Sequence, residues 1–288
     1  MRSFLFIYVT AFFLSSCAIG GPGKARFEAA KQSEASGNPR FFEIQSSKNS
    51  VSKATLDDIT DLAINSECAK TAHDVQGTPP KSYLKGSALS FARAVCHPEA
   101  ESNVIASQAV GEPSKDALAH YGLKPATPEE RLEVVYSLML GSAARESSWR
   151  WCVGKDPGAS NSSGETCEAG LYQTSFNSRS ASPVLPRLFA KFKADKSGCF
   201  ADQYKGATKC SEANLKNWGT GEGVEFQKLS KDCPGFATEY HAVMLRTRRS
   251  HYGPVNQKRS LVKSSCTKMF KSIRNKIQSN PMLCDMLK

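Results

Sequence analysis

The chain has 288 residues, enough for one large domain or two small ones with a real core. It carries a formal charge of +11 and ten cysteines. Two classes are disfavoured at once: no CxxC pair occurs and the five histidines are scattered, so no metal or other cofactor is expected, and no recognisable nucleic-acid-binding module accompanies the basic charge.

The N-terminus reads as a targeting segment. Arg2 supplies a positive start, and an apolar run over 4–14 is too short to span a bilayer as a mature helix. Leu14-Ser15-Ser16-Cys17 resembles a bacterial lipobox, which makes Cys17 the expected lipidation site and a membrane anchor; ordinary signal cleavage just beyond it is the alternative. Either way the protein is expected to be exported, to the periplasm or the outer membrane as a lipoprotein, or secreted. Residues 18–50, rich in Gly, Ser, Lys and Asn, read as a flexible tether.

From residue 52 the pattern turns helical, with Leu56, Ile59, Leu62 and Ala63 on one face. Further helices are predicted over 87–96, 183–194, 224–232 and 234–250, and around Cys266, Met269, Phe270 and Ile273. Thr127-Pro128-Glu129-Glu130 has the signature of a capped helix start, with proline and acids in the first turn. Alternating strand patterns are scarce and no repeat is visible. The fold class is therefore mainly α, with long loops at 154–170 and 196–223 that are expected to be functional, disulfide-pinned or both.

Export makes disulfides intelligible. With Cys17 lipidated, nine cysteines remain, an odd number. The shortest closures favour Cys152–Cys167, Cys199–Cys210 and Cys266–Cys284, then Cys68–Cys96, leaving Cys233 over. The positive charge is concentrated as well: ten Lys/Arg and no Asp or Glu lie between Tyr240 and Cys284. That run is either a solvated face or a surface for an anionic polymer, for which a cell envelope offers peptide carboxylates and phosphates.

The residues that point to chemistry follow the helix opened near Pro128. Its stripe runs Leu132, Val135, Met139, Ser142, Ala143 and then Glu146. A carboxyl on a core-facing stripe has its charged form disfavoured by burial, and the helix C-terminal dipole pushes the same way. A carboxyl so placed can stay protonated and donate to a leaving oxygen. The alternative is a buried ion pair with Arg145 or Arg150.

Glu146-Ser147-Ser148, followed across a loop by Gly170-Leu171-Tyr172-Gln173-Thr174-Ser175, resembles the lysozyme-like superfamily of soluble lytic transglycosylases and goose-type lysozymes. The likeness covers about 134–177; Tyr172 replaces the usual Met, and the later Ala-Tyr-Asn-Ala-Gly motif of the transglycosylases is not visible. The blocks RESSWRWC, EAGLYQTSFN and RTRRSHYGPVN are similar to a group of exported bacterial lysozyme-like proteins, among them a lysozyme of predatory bacteria that acts on deacetylated peptidoglycan. The resemblance implies a lysozyme-like catalytic domain over 51–288 with an N-terminal helical extension. It implies a peptidoglycan glycoside hydrolase, or a transglycosylase on the same fold, acting as a monomer on glycan strands; a non-catalytic envelope lipoprotein that uses a lysozyme-like groove only to bind glycan is the further alternative.

By the same resemblance Glu146 is the catalytic acid, and Gly170, Leu171, Tyr172, Gln173 and Thr174 form the turn that binds saccharide. A hydrolase needs a second carboxylate. Asp156 is the first choice, from its Gly/Pro loop, and Glu168 could instead pin the turn; Glu165 is a third candidate. Tyr252 is expected in the cleft near the acid, His251 to cap a helix, and one or two of Trp149, Trp151, Tyr172, Trp218 and Tyr252 to stack on sugar. Between Gly141 and Ser180 four acids balance four bases, which makes the stretch relatively acidic within a basic chain. An acidic cleft suits a cationic, deacetylated glucosamine.

Overall fold

The computed structural model describes residues 55–156 and 158–287. The signal segment, Cys17 and the tether lie outside the described residues. The elements in chain order are α1 (Leu56–Ile64), α2 (Lys81–Cys96), α3 (Glu101–Ser107), α4 (Ala117–His120) and α5 (Pro128–Ser147), then the strands β1 (Glu168–Ala169) and β2 (Thr174–Ser175). After them come α6 (Val184–Ala194), α7 (Ala201–Lys205), α8 (Glu212–Leu215), α9 (Glu222–Asp232), α10 (Pro234–Thr247), α11 (Gly253–Asn256) and α12 (Ser264–Ser279). The fold is mainly helical, as the periodicity predicts, and no helix among the described residues is long and apolar enough to cross a membrane.

Two helices form the axis because they are buried on nearly every face. In α5, every residue from Val135 to Ala144 is buried. In α10, so is every residue from Pro234 to Arg246. Helix α2, itself buried throughout 86–94, the short α3 and the amphipathic α6, α9 and α12 pack around this axis. Each fully buried Leu or Phe of that core contributes about 1.5–3 kcal/mol. The start of α5 follows the sequence signature: Thr127 accepts the Glu130 N–H at 3.2 Å, and the Glu130 carboxylate accepts the Thr127 and Ala126 N–H groups in return.

The disulfides differ from the sequence expectation. Among the described residues the pairs are Cys68–Cys266, Cys96–Cys284, Cys152–Cys210 and Cys199–Cys233, and Cys167, not Cys233, is left as a free, buried thiol. Loop closure penalises a long loop only logarithmically, so pairing follows which helices pack together rather than which cysteines are near in sequence. Two bridges tie α12 and the chain end to the N-terminal helices, and Cys152–Cys210 ties the two long loops to each other.

Three cations of the positive run meet carboxylates, and one of them, Arg246, is buried. Arg246 meets the Asp116 carboxylate at 2.9 Å, both side chains fully buried, and also donates to the carbonyls of Ala106, Gln108 and Ala109. Arg274 lies 2.8 Å from the buried Glu133, and Lys276 lies 3.6 Å from Asp58.

Candidate active site

Helix α5 ends abruptly, and without glycine. Ser148 at φ +51° and Trp149 at φ +59° are consecutive left-handed residues, and their N–H groups bond back to the carbonyls of Ala144 and Ala143. A non-glycine residue in that region costs roughly 1–2 kcal/mol, and such strain collects at functional sites. The Trp149 indole pays some of this back by donating to the Leu140 carbonyl at 3.1 Å and packing on Tyr83 and His73. It therefore lies in the core beneath the helix end.

Glu146 stands in the last turn, two residues before this stop, half-buried. Neither expected cation reaches it. Arg145 pairs with Asp74, while Arg150 is exposed and donates to the Ser147 carbonyl. Among the described residues Glu146 makes no ion pair. Burial first, and the charge of Glu168 second, push its carboxyl up to about 8. Burial and then Asp156 raise the Glu168 carboxyl above its ordinary value in turn. The influence therefore runs in order, from Asp156 to Glu168 and from Glu168 to Glu146. Asp156, the favoured second carboxylate in the sequence, is exposed and accepts the Gly158 N–H at 2.8 Å. A hollow of about 410 Å³ lies between Asp156, Asn161 and Glu168. Glu165 is exposed and paired with Arg179 at 2.6 Å.

The Gly-Leu-Tyr-Gln turn joins the two short strands, which pair antiparallel with Glu168 opposite Ser175 and Ala169 opposite Thr174. Gly170 has φ +79°, and a Cβ there would stand 2.5 Å from the Ser230 carbonyl oxygen, so only glycine fits. Gln173, also left-handed at φ +45°, is buried and donates from Nε2 to the carbonyls of Gly170 at 3.0 Å and Val153 at 3.2 Å. The turn is bolted to the acid-bearing helix by Ser147, whose hydroxyl donates to the Leu171 carbonyl at 2.7 Å. A glutamate and the turn two dozen residues later are thereby brought to one place.

Several residues expected to touch saccharide lie too deep for it. Leu171 and Tyr172 are fully buried, Tyr172 being stacked on His241 with ring centroids 4.1 Å apart and its hydroxyl 3.1 Å from that of Tyr83. Tyr252 is also fully buried. Its hydroxyl lies 2.9 Å from Thr174 Oγ1, and Glu146 and Glu168 both add to the upward push that burial gives its phenol. It is near the acid, as expected, but behind the turn. Glu146 and Glu168, by contrast, are only half-buried. Of the candidate tryptophans, Trp151 is buried beneath Lys205; Trp218 is half-exposed between Lys155 and Lys216.

His241 is the residue the sequence did not single out. It sits within the apolar run of α10, stacked on Tyr172 and edge-on to Tyr252 at 4.3 Å, with both ring nitrogens unpaired. Burial, aided by His251, holds it well below the usual histidine range, so it is a neutral plate between the two tyrosines. His251 does not cap α10, which ends at Thr247; burial first and Arg248 second lower its pKa to about 4.

No family model, curated protein or solved structure matches this chain. Among the described residues no group of three or more His, Cys, Asp or Glu is placed to hold a metal ion.

Proposed function

We propose that this protein is an exported peptidoglycan glycoside hydrolase of lysozyme type that cleaves the β-1,4 bond between amino sugars. The observation that carries this reading is the Glu146 carboxyl, pushed up to about 8 with no cation beside it and fixed by Ser147 to a glycine-led turn. At neutral pH it holds its proton and can deliver it to the glycosidic oxygen as the bond breaks. Glu168 is the second carboxylate in this reading. The charge of Glu168 raises the Glu146 carboxyl, and in this reading Glu146 is assigned the proton and Glu168 the negative charge. That charge can stabilise an oxocarbenium-like centre or orient water, and Asp156 acts on it from further out. The Gly170–Thr174 turn supports the glycan along its edge.

Two finer points belong to the same proposal. The hollow lined by Asp156, Asn161 and Glu168 also has Lys155 in its wall, its ammonium donating to the Ala159 carbonyl; the two carboxyls outnumber this one cation, and in this reading they suit the cationic amine of deacetylated glucosamine better than an N-acetyl group. Four disulfides suit an oxidising compartment, and the Cys17 lipobox makes an envelope lipoprotein the reading for location.

The test is digestion of acetylated and chemically deacetylated sacculi by wild type and Glu146→Gln side by side. Expected are soluble fragments with reducing ends from wild type, in higher yield from deacetylated wall, and almost none from the variant. Anhydro-muramyl ends would make the protein a transglycosylase. If wild type solubilises neither wall, the enzyme reading fails and a glycan-binding role replaces it.

A further inference from the structure

The fold divides the ten cations between Tyr240 and Cys284 into two groups. Arg246, Arg274 and Lys276 meet carboxylates, and Lys271 acts on Glu130 at the start of α5. Arg248 donates to the Ser180 hydroxyl at 3.1 Å, and Arg249 donates to the Pro113 carbonyl and the Asn256 side chain. Lys263 is half-buried near His73, and Lys268 stands on the outer face of α12. Lys258 and Arg259 are exposed like Lys268, and Arg259 donates to the neighbouring Gln257 side chain at 3.2 Å; what sets the two apart is where their segment runs. They are adjacent, both exposed, and neither forms an ion pair among the described residues.

Their position is set by the segment that carries them. It begins at Tyr252, which is held to Thr174 of the turn and lies close enough to Glu146 and Glu168 to feel both charges. It then runs back along α5. The Arg145 Nε donates to the Arg259 carbonyl at 3.3 Å, and Gly141 lets the backbone of Leu261 approach so closely that a Cβ would stand 2.5 Å from its N and O. Lys258 and Arg259 therefore project from a wall fastened to the last turns of the helix that ends in Glu146. Lys258 is held there at φ +52°, a left-handed conformation that is unfavourable for lysine. Asp156 and Glu168, by contrast, come from the loop that follows the same helix. Beyond the end of α5, one segment thus carries exposed cations and another carries carboxylates, and of these it is Glu168 whose charge reaches the Glu146 carboxyl.

We propose that Lys258 and Arg259 form an anion-reading rim that engages the carboxylates of peptides attached to the glycan, so that peptide-bearing strands are preferred over bare ones. The proposal rests on the glycosidase reading of Glu146. Its chemistry is that of a guanidinium, which can hold a carboxylate with two parallel hydrogen bonds, beside an ammonium that adds a point charge. The contacts are exposed, so the preference is modest and salt-sensitive.

The experiment compares glycan strands that keep their peptides with the same strands stripped by an amidase. The proteins are wild type and the double variant Lys258→Asn/Arg259→Gln, because asparagine tolerates the left-handed backbone. Thermal melting of both proteins controls for folding. For wild type, KM is expected to be roughly three- to tenfold lower on peptide-bearing strands, the scale of two exposed ion pairs. In the variant, and in wild type at high salt, the ratio is expected to fall close to one. A ratio that is absent in wild type, or unchanged in the variant, overturns the proposal. So does binding that follows wall phosphate polymers instead of peptide. If wild type cleaves neither substrate, the glycosidase reading has failed, and co-sedimentation decides the rim separately. Retention on peptide-bearing over stripped strands that is lost in the double variant supports it, and equal retention overturns it.

Discussion

Helix α5 carries four glutamates, and two of them, Glu133 towards its start and Glu146 at its end, are both pushed up by burial but differ in whether a cation meets them. Glu133 is 2% exposed and has Arg274 at 2.8 Å. Glu146 is half-buried, has no cation, and is raised by the charge of another carboxylate. The other deep carboxylates follow the first pattern: Asp116 is matched by Arg246, and Glu239 by Arg93 and Ser102. The fold thus supplies a cation wherever a carboxylate only has to be buried. It withholds one at the C-terminal end of α5, where the helix dipole already disfavours negative charge. An uncompensated carboxyl costs stability, and the strained residues that follow it cost more. Both are intelligible if the group's task is to keep a proton.

The contrast can be broken most forcefully at the acid itself. Glu146→Gln is expected to lower the rate of sacculus digestion by about 10²–10⁴-fold, the usual worth of a positioned general acid. Its stability should move the other way. The folded-state pKa of Glu146, about 8, lies above the unfolded value, so the stability tied to its proton is intact below about pH 4.5 and is lost as pH rises to 8. The glutamine variant should therefore be more stable than wild type at pH 8 by roughly 1–3 kcal/mol, after allowance for solvent screening. At pH 4 the melting temperatures should coincide. A variant that melts lower at pH 8 would mean that Glu146 has a cationic partner.

At the other end, Glu133→Ala is expected to destabilise by about 3–5 kcal/mol, because it strands Arg274. Chemical denaturation measures that loss. Cleavage by the remaining folded protein should be unaffected, which separates a structural glutamate from a reacting one. Gly170→Ala comes next, at about 1–3 kcal/mol from its left-handed backbone and the Ser230 carbonyl, and here activity should fall with stability because the turn shifts.

The smallest expected effects order the two remaining acids. Glu168→Gln removes the charge that raises Glu146, so the alkaline limb of the pH–rate profile should move to lower pH, and the rate should fall at all pH values. Asp156→Asn should leave that limb in place and instead move the acid limb to lower pH, since Asp156 raises Glu168. If Asp156→Asn shifts the alkaline limb more than Glu168→Gln does, the order of the carboxylates is reversed.

The start and end of α5 were legible in the sequence because both are local: Thr127 and Pro128 fix one end, and the stripe through Leu132, Val135 and Met139 leads to Glu146 at the other. The longer helices were legible for the same reason. Glu168 was harder to rank above Asp156. Which acid of a flexible-looking loop faces the helix depends on the register of β1 and β2, two strands of two residues each, too short to leave an alternating pattern. Tyr172 and Tyr252 looked like sugar platforms because aromatic residues do not reveal which face of a turn they take; only the packing of α10, with His241 between them, puts them behind it. The disulfides were not legible at all. Cys68 meets Cys266 across 198 residues because α1 and α12 both pack on α2.

The most direct test of the uncompensated acid is a titration of the Glu146 carboxyl in the intact protein by ¹³C NMR, assigned by its absence in Glu146→Gln. A midpoint close to 8, falling in Glu168→Gln, is the expected result. A midpoint at the ordinary glutamate value, about 4.3, would mean that Glu146 is ionised at neutral pH and cannot be the proton donor.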